Sequence, residues 1–152
     1  MEEAKTIRTL VLDANVLISS LVRSEGITRT SLTILLHNDD CTVTAPVDVV
    51  EELKKHVEDV CDKSGIARPL LEDALDRLLE NIDLAPASLY EKELHEALQF
   101  VRDETDAPFA ALALTRSPST IITYNKKHFN SKKLLQRQIR VRTPVEAVRE
   151  VD

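Results

Sequence analysis

Glycine is almost missing: Gly26 and Gly65 are the only two among 152 residues. A loop that cradles phosphates needs glycines in close succession, so the P-loop and dinucleotide-binding Rossmann classes are excluded. Tryptophan is absent, and the aromatics are three Phe and two Tyr. That leaves little surface for base stacking, and no sequence readout of a nucleic acid is visible. The two cysteines, Cys41 and Cys61, form no CxxC pair and no framework, so both are expected to be reduced structural residues. No apolar run approaches the roughly 20 residues that span a bilayer. The opening MEEAKT is acidic and lacks the basic-then-apolar layout of a secretory signal. A soluble, cytoplasmic protein with no membrane partner is expected, folded as one domain over residues 1–152 with residues 1–6 as a flexible tail.

The net charge of −6 argues at first against a nucleic-acid partner. Its distribution reverses that argument. Residues 126–142, KKHFNSKKLLQRQIRVR, hold seven Lys or Arg and no acid, which leaves a net −13 on the remainder. A solvated basic face explains such a segment as well as a phosphate-binding one does. An acidic pole beside a basic pole is nonetheless what a metal-dependent phosphodiesterase needs, carboxylates for the cation and Lys or Arg for the polymer.

Periodicity predicts strands at 7–12, 41–44, 82–85, 119–123 and 138–141. Helices are expected at 14–23, 28–37, 46–61, 68–80, 88–101, 106–115, 131–136 and 144–150. Ser88 with Glu91 and Thr143 with Glu146 fit the capping box, Pro144 suits a first helical turn, and Pro46 marks a helix start. Alternating strands and helices without hairpin signals imply a parallel sheet covered on both faces.

In TIRTLVLDANVLISS an apolar strand ends on Asp13, with Asn15 just beyond. Asp13 is a natural helix N-cap, yet it also stands where an open α/β sheet binds ligands. In VVEELKKHVEDV the buried stripe is Val49, Leu53, Val57 and Val60. Glu52 lies on its flank, whereas Glu51 points to water. His56, one turn after Glu52, reads as an orienting or structural residue, since nothing else resembles a zinc site. In RDETDAPFAALALTR an Ala-rich helix able to press closely on the sheet opens at Asp106, and Asp103 lies one turn upstream. Helix-dipole capping is the plain alternative for both. Asn125 sits at the exit of strand 119–123, either as a neutral oxygen ligand or as a turn cap. Asp13, Glu52, Asp106 and Asp103 thus come from separate elements able to meet at one sheet edge. Oxygen donors without thiolate or clustered His select Mg²⁺ or Mn²⁺.

At these residues the chain resembles the PIN domain family of metal-dependent ribonucleases. LVLDANVLISSL is similar to that family's first motif, VVEELKKH to its second, DAPFAALAL to its third and TYNKKHF to its fourth, in order from residue 7 to about 142. The resemblance implies a PIN-like α/β/α sandwich, three layers around a central parallel sheet. It implies hydrolysis of RNA phosphodiesters, with Asp13, Glu52 and Asp106 as catalytic metal-site acids and Asn125 orienting water or completing the shell. Asp103 is added from its spacing and from members with two acids at this turn. Lys126, Lys127, Lys132 and Lys133 are candidates for RNA backbone contact. The expected partners are RNA, with an antitoxin-type protein and a second copy of the chain as further candidates. A toxin and an RNA-processing nuclease are equally compatible. Many family members carry Asp where Asn125 stands, so the competing reading is a non-catalytic RNA- or protein-binding module with a degenerate metal site. Neutralising Asp13 or Asp106 is expected to leave the metal-free fold unchanged or more stable.

Overall fold

The computed structural model describes residues 7–22 and 26–151, so the expected tail at 1–6 lies outside the described residues. The strands are β1 (Arg8–Leu12), β2 (Cys41–Pro46), β3 (Asp83–Ala85), β4 (Ser119–Ile122) and β5 (Ile139–Arg142). All pair in parallel, in the order β3-β2-β1-β4-β5. Central β1 sets Leu10 beside Val43 on one side and Thr120 on the other. Leu10, Val11 and Leu12 are all buried, as a strand covered on both faces requires.

The helices are α1 (Ala14–Val22), α2 (Ile27–Leu36), α3 (Asp48–Lys55), α4 (Val57–Ser64), α5 (Arg68–Glu80), α6 (Ala87–Tyr90), α7 (Leu94–Ala97), α8 (Ala107–Thr115), α9 (Ser131–Gln136) and α10 (Pro144–Val151). The architecture is the expected α/β/α sandwich. Helix α8 is apolar all round and packs against β1, β2 and β4. Its Ala107 and Phe109 through Ala113 are buried, because alanines let a helix backbone approach the sheet closely. Helices α2 and α10 pack on each other, against β2 and β5. Among the described residues, no helix is long and apolar enough to cross a membrane. Cys41 and Cys61 are free thiols, both half-buried.

Three expectations need correction. The helix expected at 46–61 is two, α3 and α4, because the chain tightens at His56, whose N–H donates to the Leu53 carbonyl three residues back. The stripe of Val49, Leu53, Val57 and Val60 stays buried across the break. Pro46 closes β2, pairing with Ala85, rather than starting a helix. The helix expected at 88–101 is a series of short turns: α6, a 3₁₀ turn at Glu91–Glu93, α7 and a 3₁₀ turn at Leu98–Phe100. Pro86 holds its N-cap position, so Ser88 falls inside the first turn and caps nothing. The second capping box does form: Thr143 N–H donates to Glu146 Oε1 at 2.9 Å, and Glu146 N–H donates to Thr143 Oγ1 at 3.3 Å.

Candidate metal centre

Strand order reverses between β1 and β4, and carboxyl ends at such a reversal open a crevice. Asp13 leaves β1 there, its N–H donating to the Ile122 carbonyl at 3.0 Å. Thr123, next after β4, is buried beside it and donates its hydroxyl to Asp13 Oδ2 at 2.8 Å. Asn15 Nδ2 donates to the same Oδ2 at 3.2 Å and to Thr123 Oγ1 at 3.2 Å. The Ala14 N–H donates to Asp13 Oδ1 at 2.8 Å. Asp13 is 4% exposed. Burial raises its pKa, against the pull of the Thr123 and Ala14 hydrogen bonds.

Asp106 ends a 3₁₀ turn, Glu104–Asp106, at the N-cap position of α8, but its side chain caps nothing. Asp103 does the capping instead, accepting from the Thr105 N–H at 3.0 Å. That bond lowers the pKa of Asp103, which is exposed. Asp106 is left with an orphan: among the described residues, its Oδ2 is the buried side-chain oxygen with no hydrogen bond. His128 Nδ1 stands 3.4 Å away, too far to serve as a good donor. Burial, then the Asp13 charge, pushes the Asp106 pKa up to about 6, with His128 opposing.

Glu52 on α3 is half-buried and Glu51 exposed. Burial, then the charge of Asp13 and, more weakly, of Asp106, raises the Glu52 pKa; His56, which is exposed, opposes. Asp13, Glu52 and Asp106 therefore repel one another across one crevice. Among the described residues no three of His, Cys, Asp or Glu form a compact ligand group. A closed protein cage is not required, since Mg²⁺ keeps several waters and binds through one or two carboxylates. The donor set, oxygen only and with one buried oxygen unsatisfied, fits a hard divalent cation.

The remaining positions divide. Asn125 is exposed, and its main chain closes the turn: its N–H donates to Thr123 Oγ1 at 3.0 Å and its carbonyl accepts from the His128 N–H at 2.9 Å. Lys126 is engaged by Glu146 at 3.0 Å, Arg137 by Glu96 and Arg142 by Glu150. Lys127, Lys132 and Lys133 are exposed. Sequence reasoning missed Thr123 as a partner of Asp13, the side-chain role of Asn15, and His128. The TYNKKHF motif contains two of them, but only the meeting of β1 with β4 reveals whom they face.

The raised pKa of Asp106 sets a pH dependence. Unfolded, the carboxyl titrates near 3.9, so between about 4 and 6 the native state holds more protons. Stability is then full below about pH 4 and falls as pH rises towards 6. The raised values of Asp13 and Glu52 act with the same sign. Glu146, held down to about 2 by the Thr143 N–H and by Lys126, acts oppositely, but only below about pH 4.5. Denaturant melts in EDTA are expected to show a loss on the order of 2 kcal/mol between pH 4.5 and 6.5. Asp106→Asn should flatten most of that slope; an unchanged slope would mean that Asp106 is solvated.

The chain matches the family model described as PIN domain over residues 11–148. Among solved structures it is similar to VapBC2 from Rickettsia felis, crystallised bound to a DNA fragment from the promoter. Identity is 18%, covering 88% of this chain and 98% of that chain, with a TM-score of 0.63. No curated protein matches the chain in sequence.

Proposed function

This chain belongs to the PIN domain family, and on that premise we propose that it is a divalent-metal-dependent ribonuclease acting at the crevice of Asp13, Glu52 and Asp106. The observation that carries the reading is the buried, unbonded Oδ2 of Asp106 beside two other carboxylates. An anion so placed is costly unless a cation joins it. Asp13, Glu52 and Asp106 would hold Mg²⁺ or Mn²⁺, with Asp103 at the rim. The bound cation supplies polarisation of the phosphate and a water that is acidic enough to attack near neutral pH.

The chain's own residues do the positioning. Thr123, Asn15 and the Ala14 N–H fix both oxygens of Asp13, so its carboxylate cannot rotate away. Lys127, Lys132 and Lys133 are exposed to meet the RNA backbone, whereas Lys126 serves mainly to pin the turn to α10 through Glu146. Asn125 would border the crevice as a neutral group, orienting water or completing the shell. The likeness to VapBC2 supports a toxin-type nuclease with an antitoxin-type protein partner.

The test is cleavage of a single-stranded RNA across a Mn²⁺ titration, with EDTA as control. Glu52→Gln should lower the rate by at least about tenfold and weaken the metal-induced thermal shift, while Glu51→Gln changes neither. Equal losses in both variants would remove Glu52 from the site. RNA binding indifferent to metal, with no cleavage by the unaltered protein, would favour a non-catalytic module.

A further inference from the structure

A tyrosine on a protein surface ordinarily buries its ring and leaves its hydroxyl in water. Tyr124 instead has its hydroxyl tied to the protein. Its hydroxyl is hydrogen-bonded to Thr28 Oγ1 on α2, which also meets Ser19 Oγ of α1 at 3.2 Å. Its N–H donates to Asn15 Oδ1 at 3.3 Å. The hydroxyl and the N–H are both bonded, and yet the residue is 41% exposed. Among the described residues it is the one aromatic in the exposed class; Tyr90, Phe100, Phe109 and Phe129 are buried.

Its place matters as much as its exposure. Tyr124 lies between Thr123, which bonds Asp13, and Asn125, whose N–H bonds Thr123, and the Asn15 that holds its backbone also holds Asp13. Tyr124 is thus tethered through its hydroxyl and its backbone, one residue from the threonine that holds Asp13. Little side-chain freedom remains to be lost when a flat ligand covers it.

We propose that Tyr124 is the platform on which one unpaired base of the RNA stacks, setting the adjoining phosphate over the acids. The inference rests on the ribonuclease reading and adds to it the residue that seats a base. A base within a duplex has both faces covered by its neighbours and cannot present one. An unpaired base can, and stacking on an aromatic is sequence-tolerant because every base has a π-face. Lys127, three residues beyond the base-binding ring, is exposed for the backbone that leads away.

The experiment uses a single-stranded RNA dodecamer carrying 2-aminopurine, bound to the full chain in EDTA and followed by fluorescence. Tyr124→Phe keeps the face and loses only the tether to Thr28; it should bind within about threefold of the unaltered protein. Tyr124→Leu keeps apolar bulk without a π-face; it should bind about tenfold more weakly or worse. The salt dependence of binding should be alike in all three, since no phosphate contact is altered. Melting temperatures within a few degrees show that the variants fold. With Mn²⁺, the unaltered protein should prefer the single strand over its duplex, and Tyr124→Leu should raise KM more than it lowers kcat. Leu binding as tightly as Tyr, or a loss shared by Phe and Leu, would overturn the platform. Absence of cleavage by the unaltered protein would instead overturn the ribonuclease reading, and the metal-free binding comparison would stand apart from it.

Discussion

Replacing Asp106 with Asn is expected to abolish Mn²⁺-dependent RNA cleavage and, in the same protein, to raise metal-free stability. The two effects share one cause. Asp106 carries a buried oxygen without a hydrogen bond, and burial together with the Asp13 charge holds its pKa at about 6. At pH 7 the folded protein therefore carries an anion that its surroundings resist. Removing the charge should add about 1–2 kcal/mol in EDTA. It should also relieve Asp13 and Glu52, both of which sense that side of the crevice. Turnover should fall by at least about a hundredfold, because a cation would lose a ligand and the charge that attracts it. Denaturant melts in EDTA and single-turnover cleavage check both halves. Turnover like that of the unaltered protein removes Asp106 from the reaction, and lower stability in EDTA shows its charge to be satisfied.

Asp13→Asn should lose cleavage to a similar extent but with stability moving the other way, down by about 1–3 kcal/mol. Each oxygen of Asp13 accepts: Oδ1 from the Ala14 N–H, Oδ2 from Thr123 and from Asn15 Nδ2. An amide keeps one acceptor. If its oxygen stays with Ala14, its NH₂ confronts the Asn15 NH₂, two donors in a buried space. Thr123 cannot resolve the conflict by turning its hydroxyl, since its oxygen already accepts from the Asn125 N–H and from Asn15. From sequence alone, neutralising either acid looks harmless to the fold. The hydrogen bonds separate them, and Asp13 is the exception. Melting of Asp13→Asn and Asp106→Asn side by side in EDTA decides it: a shift of the same sign in both would show that repulsion, not hydrogen bonding, governs Asp13.

Much of the fold was legible because apolar periodicity and burial describe the same thing. The run Leu10–Leu12 reads as a two-faced strand and is one, and the Ala-rich stretch after Asp106 reads as a helix pressed on the sheet and packs on three strands. What failed was local and arose from contacts far along the chain. Tyr90 is drawn inward by Asp48, 42 residues away, and the segment around it tightens into short turns that no helical spacing announces. Ser88 has the right neighbours for a capping box, yet the helix starts two residues too early for it. At the site, the wheel separates Glu52 from Glu51 because helical geometry is local. It cannot show that Asp103 rather than Asp106 caps, or that Asn15 rather than Asn125 reaches Asp13 with its side chain. The first choice is made by the turn at Thr105, and the second depends on how β1 and β4 meet.

The bond between Thr123 and Asp13 joins residues 110 positions apart. At about 5–20 residues per second, a ribosome needs roughly 5 to 20 s to travel between them. Throughout that interval Asp13 has been made, joined part-way by Glu52, but β4, the neighbour that seats Asp13, has not. Strand β1 can pair early with β2, while its other edge waits. The turn after β4 waits longer still, since Lys126 is fixed by Glu146, 20 residues further on. A nascent chain thus carries its acids unassembled until nearly all of this sequence has been synthesised. The crevice would therefore remain unbuilt, and any chemistry of its acids withheld, while the segment up to Glu146 is still being made.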